Sequence, residues 1–269
     1  MTHLPFVKMQ GLGNDFIVVD EIGLLFSTSL TWTPALAQKV CDRRWGVGAD
    51  QVLLLRMPQN LADVRMEIWN ADGSGAEMCG NGIRAVALYL SQYSKIKKKE
   101  YLVETLAGVK TVQIRGNQVR VDMGQPVFGS SFQDQGETFF EVSMGNPHAV
   151  AFVQSVAEFP VESRGPSIEC HSRFPKRTNV EFVEVIDLHS IQVRVWERGA
   201  GITLACGTGA CAAAVISLAN NHVKGPVDVH LPGGVLKISW DGPGHSVRME
   251  GPAQEVFQGK LILEESFFS

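Results

Sequence analysis

Apolar residues in this chain gather in short runs, many alternating with polar positions and bounded by Gly, Pro, Asn or Asp, which predicts strands more often than helices. In the first half such runs are Phe16–Asp20, Gln51–Leu55, Val64–Trp69, Tyr101–Thr105, Val109–Ile114 and Val119–Met123. The second half answers with Phe139–Val142, Ala149–Val153, Val180–Val185, Ile191–Trp196, Val227–Leu231, Val235–Trp240 and Val247–Glu250. Helical signals are fewer. Thr33-Pro34 pairs a cap with a first-turn proline and predicts a helix to about Arg44, and further helices are expected to start near Gly80 and Gly207. Lys95-Ile-Lys-Lys-Lys99 reads as the solvated end of the first central helix. The predicted class is α+β, with mostly antiparallel sheets each wrapping a helix, and Gly124-Gln125-Pro126 is the expected boundary between halves.

The pattern repeats. Without gaps, Glu67–Ala87 lies over Arg194–Ala214: each copy carries Trp ten residues before a cysteine (Trp69, Trp196), then Cys-Gly-x-Gly (Cys79, Cys206), then small residues at matching places. Upstream, Gly13-Asn14 and Gly145-Asn146 each head an apolar run, and Gln51 and Asn179 each place an amide just before another. Each half therefore presents an Asn, an amide and a cysteine in the same order, the mark of an internal duplication.

Composition narrows the chemistry. At 269 residues and 45% apolar content the chain can build two ordinary cores. A net charge of −4, from 24 basic and 28 acidic residues, offers no basic field for nucleic acid, so the expected partner is a small molecule. The opening residues carry no leader pattern and no run approaches the roughly 18 apolar residues of a membrane span, so no membrane partner and cytoplasmic residence are expected. Five cysteines, an odd number without short regular spacing, make a poor disulfide framework. Cys41, Cys170 and Cys211 lack metal-ligand spacing, so no metal is predicted.

The duplicated cysteines carry the chemical signal. Each precedes Gly-x-Gly and helix-compatible residues, which puts the sulfur at a helix N-terminus, where unpaired N–H groups and the helix dipole favour a thiolate. Glycine there would also admit a ligand carboxylate to the N–H groups of Gly80-Asn81 and Gly207-Thr208. Across a cleft between two related halves, two thiols could flank one α-carbon. Inverting a stereocentre by proton transfer needs such a pair, a base on one face and an acid on the other. The Gly-x-Gly-x-x-Ala spacing also fits a dinucleotide fingerprint, but Ala71–Met78 before the first copy is polar and Gly-rich, unlike the buried strand that fingerprint follows. His148, after a Gly-Asn-Pro turn, could reach a thiol and tune it. Glu197-Arg198 holds the place of Asn70-Ala71 in the other copy, which favours ligand contact over a surface ion pair.

Lys8–Phe16, Gly46–Gln51, Met78–Arg84, Gly145–His148, Glu197–Gly199 and Ala205–Cys211 together resemble diaminopimelate epimerase, and the likeness runs from about residue 6 to about residue 263. The resemblance implies two pseudo-symmetric domains, 1–123 joined by a returning C-terminal strand at 257–269, and 124–256, with the active site in the cleft between them. It implies a homodimer that needs no cofactor and interconverts LL- and meso-2,6-diaminopimelate for lysine and peptidoglycan synthesis. By position it makes Cys79 and Cys206 the acid–base pair, and His148 and Glu197 groups that adjust their protonation. Gly80-Asn81 and Gly207-Thr208 would hold the reacting carboxylate, while Asn14, Gln51, Asn70, Asn146, Asn179, Glu197 and Arg198 would bind the rest of the substrate. Ile202 stands where many relatives carry Glu. Two other readings keep the cysteines: a racemase of another amino acid, and a redox dithiol in a ligand-binding protein.

Overall fold

The computed structural model describes residues 2–25, 30–95 and 97–263. The chain divides into two compact units, one reaching to Val121 and taking back the chain from Pro252, the other Asp122–Gly251.

The first unit contains β1 (Thr2–Gly11), β2 (Asn14–Asp20), α1 (Pro34–Cys41), β3 (Gln51–Arg56), β4 (Val64–Asn70), β5 (Gly75–Ala76), α2 (Gly80–Tyr93), β6 (Glu100–Thr105), β7 (Gly108–Arg115) and most of β8 (Gln118–Gly124). The second contains β9 (Val127–Asp134), β10 (Glu137–Ser143), β11 (Pro147–Phe152), α3 (Val161–Glu169), β12 (Asn179–Asp187), β13 (Ser190–Glu197), β14 (Gly201–Ile202), α4 (Gly207–Ala219), β15 (Val227–Leu231), β16 (Gly234–Ser239) and β17 (Val247–Pro252). The last described strand, β18 (Gln254–Leu263), lies antiparallel to β1 in the first unit.

The two pairing patterns are the same. In the first unit β1/β2 is antiparallel, β2/β3 parallel, β3/β4 antiparallel, β4/β6 parallel, and β6/β7 and β7/β8 antiparallel. In the second, β10/β11, β11/β12, β12/β13, β13/β15, β15/β16 and β16/β17 repeat that order. In the second unit β9 pairs with β10 where, in the first, β18 pairs with β1.

Alternation along the central strands decides which side chains reach α2 and α4. Ile17, Val19, Val52 and Leu54 pack outward with Leu36, Val40 and Cys41 of α1. In the second unit Ala149, Ala151, Val180 and Phe182 pack with Val161 and Ile168 of α3. The intervening positions, Phe16 and Leu53 in one unit and His148 and Glu181 in the other, therefore point the opposite way, toward α2 and α4. Covering on both faces explains why β2 and β3 read as unbroken apolar runs. α4 is buried along Gly207–Ser217, and its alanines at 210 and 212–214 let the surrounding strands close on its backbone.

Several elements differ from the sequence reading. α1 ends at Cys41, not near Arg44, because Asp42 turns its carboxylate onto the N–H groups of Arg44 and Trp45, both at 2.7 Å, and withdraws them from the helix. α3 carries Gly165 and Pro166 inside it, which hid it. Gly165 is required by contact: a β-carbon there would stand 2.5 Å from the Trp196 ring. β9 went unread because its residues are Gly- and Ser-rich and mostly exposed. α2 ends at Tyr93, so Lys97–Lys99 follow it as an exposed segment, and Ile96 of the expected lysine-rich helix end lies outside the described residues. Residues 264–269 of the expected returning strand also lie outside them.

Candidate active site

Each of the two duplicated cysteines caps its helix. Cys79 (φ −136°, ψ 112°) and Cys206 (φ −112°, ψ 116°) have extended backbones, and each Sγ accepts a hydrogen bond at 3.3 Å from the amide three residues on, Gly82 and Gly209. The carbonyls of both cysteines take the next amides, Ile83 and Ala210, at 2.9 Å. The N–H groups of Gly80-Asn81 and Gly207-Thr208 are the first two of each helix, which intrahelical bonding never reaches, so an anion is the natural acceptor there.

The first unit surrounds Cys79 with amides. Asn14 follows Gly13, whose φ of +83° favours glycine, just as Asn146 follows Gly145 at +96°. Asn14 Nδ2 donates to Asp50 at 2.8 Å, which aims Oδ1 at the Cys79 sulfur, 3.7 Å away. Asp50 is in turn fixed by Arg43, which also bridges Asp15, and Asp15 pairs with Lys8 at 2.7 Å. Burial would raise the Asp15 carboxyl, but the Arg43 and Lys8 hydrogen bonds and the Lys8 charge overcome it and hold it far below the usual carboxylate range. Gln51 Nε2 donates to Asn70 Oδ1 at 2.8 Å, so these two amides from adjacent strands already orient each other. The fully buried Arg84 bonds to Asn81 Oδ1 (2.9 Å) and Gly80 O (3.1 Å), fixing the turn on which a carboxylate would rest.

The second unit surrounds Cys206 with ionisable groups. Glu197 lies close enough to the Cys206 thiol for each to affect the other's protonation and accepts from Thr203 Oγ1, and Thr208 Oγ1 lies 3.5 Å from the sulfur. Glu181, fully buried, sits beneath the same turn. Burial, then the nearby charges of Glu197 and Glu181, push the Cys206 thiol well above its ordinary range, outweighing its bonds to Thr208 and Gly209. Burial likewise raises Glu197. The thiolate expected from a helix start is thus opposed at Cys206 by local carboxylates, which the capping argument did not include.

His148 does not spend its ring on a thiol. Nδ1 faces Glu181 Oε1 at 2.7 Å and Nε2 faces Asn146 Oδ1 at 3.0 Å, while Asn146 Nδ2 donates to Thr208 Oγ1 at 3.3 Å. Its path to Cys206 runs through Glu181. Asn179 Nδ2 donates to Pro147 O at 3.1 Å, and its Oδ1 accepts the Arg198 N–H at 3.0 Å, which leaves the Arg198 side chain exposed with one long contact to Lys176 O. Such a guanidinium is suited to a carboxylate. The sequence reading missed Glu181, Thr203 and Arg84. Glu181 was the most visible of them, a charge between Val180 and Phe182 where the other half has Leu53.

Among the remaining cysteines, burial pushes Cys41 up to about 12, Cys211 is fully buried and Cys170 lies exposed. Among the described residues no group of three His, Cys, Asp or Glu side chains could hold a metal ion, and no helix is long and apolar enough to cross a membrane.

The diaminopimelate epimerase family model matches residues 6–129 and 140–256. This chain belongs to the diaminopimelate epimerase family. A diaminopimelate epimerase of Carboxydothermus hydrogenoformans is 48% identical over 97% of this chain and the whole of that protein, and one of Methanococcus maripaludis is 41% identical over the same shares. Among solved structures, a phenazine biosynthesis protein of the PhzF family from Bacillus anthracis superposes with a TM-score of 0.75 at 15% identity, covering 98% of this chain and all of that one. A hydroxyproline epimerase from Agrobacterium vitis gives 0.70 at 17%, covering 97% and 91%. These neighbours share the α+β fold of diaminopimelate epimerases.

Proposed function

We propose that this protein epimerises LL-2,6-diaminopimelate to the meso form, and back, by proton transfer between two cysteines and without a cofactor. In the forward direction one cysteine, as thiolate, takes the α-proton, and the electron pair of the C–H bond passes into the α-carbon and its carboxylate. The other, as thiol, returns a proton to the opposite face. The two sulfurs exchange protonation states, and the reverse reaction restores them. Stabilising the carbanion is the hard part, because an α-hydrogen is a far weaker acid than a thiol. In this reading the first-turn amides of α2 and α4 carry charge on the reacting carboxylate.

The observation that carries this reading is the matched cap: two cysteines from duplicated motifs, each with its sulfur on the third amide of a buried helix. A structural thiol has no reason to recur in that geometry. Asn14, Gln51, Asn70, Asn146, Asn179, Glu197 and Arg198 then bind the amino groups and distal carboxylate, since amides donate and accept and Arg pairs with carboxylates in a bidentate fashion. The named relatives support the substrate. Cytoplasmic residence, a homodimer and a place in lysine and peptidoglycan precursor synthesis belong to the same reading. Offering LL-diaminopimelate and a panel of single-carboxylate L-amino acids in heavy water tests it. Deuterium is expected at the α-carbon of diaminopimelate alone, and exchange confined to a single-carboxylate amino acid would overturn the substrate assignment.

A further inference from the structure

The duplication allows the surroundings of the two sulfurs to be compared position by position. His148 stands opposite Asn179 in the β11/β12 ladder and Phe16 opposite Gln51 in the β2/β3 ladder, so His148 answers Phe16 and, two residues along the neighbouring strand, Glu181 answers Leu53. Contacts confirm the match. A β-carbon at Gly82 would lie 3.3 Å from both Leu53 Cδ atoms and from Cys79 Cβ. One at Gly209 would lie 2.7 Å from Glu181 Oε1 and 3.3 Å from the Cys206 sulfur. Glycine at 209 thus opens a space under the first turn of α4 that a carboxylate fills, where α2 rests on leucine. Further along the helices the contrast is reversed, with Arg84 in α2 answering Cys211 in α4.

We propose that Glu181, held against the first turn of α4 by His148, is the positioning residue that makes the two cysteines unequal, keeping Cys206 as the protonated thiol of the pair. This rests on the acid–base roles given to Cys79 and Cys206. Asn146 Oδ1 accepts from His148 Nε2, so that nitrogen carries a hydrogen, and Nδ1 shares one further proton with Glu181. The acidic end of this couple lies against Cys206 and the basic end points away to Asn146. Glu181 Oε2 has no hydrogen-bond partner among the described residues, so on that side its charge is unanswered. The ionisable groups facing Cys206 within its unit are Glu197 from β13, Glu181 from β12 and, behind it, His148 from β11. The charges that act most on the sulfur are those of Glu197 and Glu181, and removing a proton from Cys206 would place a further negative charge beside them. The corresponding positions around Cys79 are Asn70, Leu53 and Phe16, none ionisable.

The test reads each sulfur separately in the substrate-free protein. Iodoacetamide alkylates thiolates, forming an S–C bond with loss of iodide, and peptide mass spectrometry gives the rate at Cys79 and at Cys206 from about pH 5 to about pH 10. Glu181→Gln is expected to lower the midpoint of the Cys206 profile by about one unit or more, roughly tenfold more thiolate at a fixed pH below both midpoints, with the Cys79 midpoint unmoved. The double variant His148→Phe/Glu181→Leu, which copies the Phe16/Leu53 arrangement that α2 tolerates, is expected to move Cys206 the same way and guards against misfolding of the single variant. A folded variant of either kind with an unmoved Cys206 midpoint would overturn the proposal, even if its turnover were lost. The catalytic reading fails separately, as absence of α-deuterium exchange by the unaltered protein.

Discussion

At the scale of single residues, both sulfurs receive the same help from their helices and opposite treatment from their strands. The Gly82 and Gly209 amides stabilise charge on each sulfur, but Glu197 and Glu181 act on Cys206 from the positions that Asn70 and Leu53 hold in the other unit. Gly209→Ala and Gly82→Ala separate packing from helix propensity, since alanine is favoured over glycine in a helix by roughly 0.5–1 kcal/mol. At 82 the new methyl meets the flexible end of Leu53 at 3.3 Å, and stability is expected to change little. At 209 it meets the Glu181 carboxylate at 2.7 Å, so the carboxylate must shift, and the melting temperature is expected to fall with a loss of about 1–3 kcal/mol. Equal melting temperatures for the two variants would contradict the packing described here. Glu181 was legible only in part: its charge between Val180 and Phe182 was visible, but its place beneath a glycine could not be read without the ladder register. His148 was legible as a candidate and not in its partner, because a histidine in a turn motif does not declare which strand it faces.

At the scale of elements, what could be read was whatever repeats with a fixed period or carries a cap. Thr33 is the N-cap of α1, with Oγ1 accepting from Leu36 at 3.2 Å, as Thr33-Pro34 predicts. Thr33→Ala is expected to cost about 1 kcal/mol in chemical denaturation, and a cost near zero would remove the cap from the account. Central strands were legible because both their faces are covered and their residues are mostly apolar. β1 escaped because Pro5 and Lys8 interrupt its pattern, yet it is buried over much of its length, with Lys8 paired to Asp15. α3 escaped because Gly165 and Pro166 argue against a helix, and the reason they are tolerated, the Trp196 ring against Gly165, is tertiary. Gly165→Ala is therefore expected to destabilise the second unit by about 1–3 kcal/mol despite alanine's better helix propensity. Measured stabilisation would show that the contact can relax.

At the scale of the whole molecule, duplication explains why the paired cysteine motifs were legible from one sequence. Matched topologies deliver two cysteines in one geometry, and the side chains at corresponding register positions make them different. The charge network of Lys8, Asp15, Arg43 and Asp50 supports the first site and links stability to pH. The folded pKa of Asp15 lies below the value of about 3.9 expected when unfolded, so its contribution is complete above about pH 4 and is lost as pH falls further toward the folded value. The stability gap between the unaltered protein and Asp15→Asn should be widest near neutrality and narrow below about pH 4, and a gap independent of pH would deny the network that role. The central claim is that both sulfurs are needed. Formation of the meso isomer from LL-diaminopimelate, measured for Cys79→Ala and Cys206→Ala beside the unaltered protein, tests it most directly. Loss of epimerisation by about a thousandfold or more is predicted for each variant, with the fold retained by circular dichroism. Near-normal turnover by either folded variant would contradict the two-cysteine account.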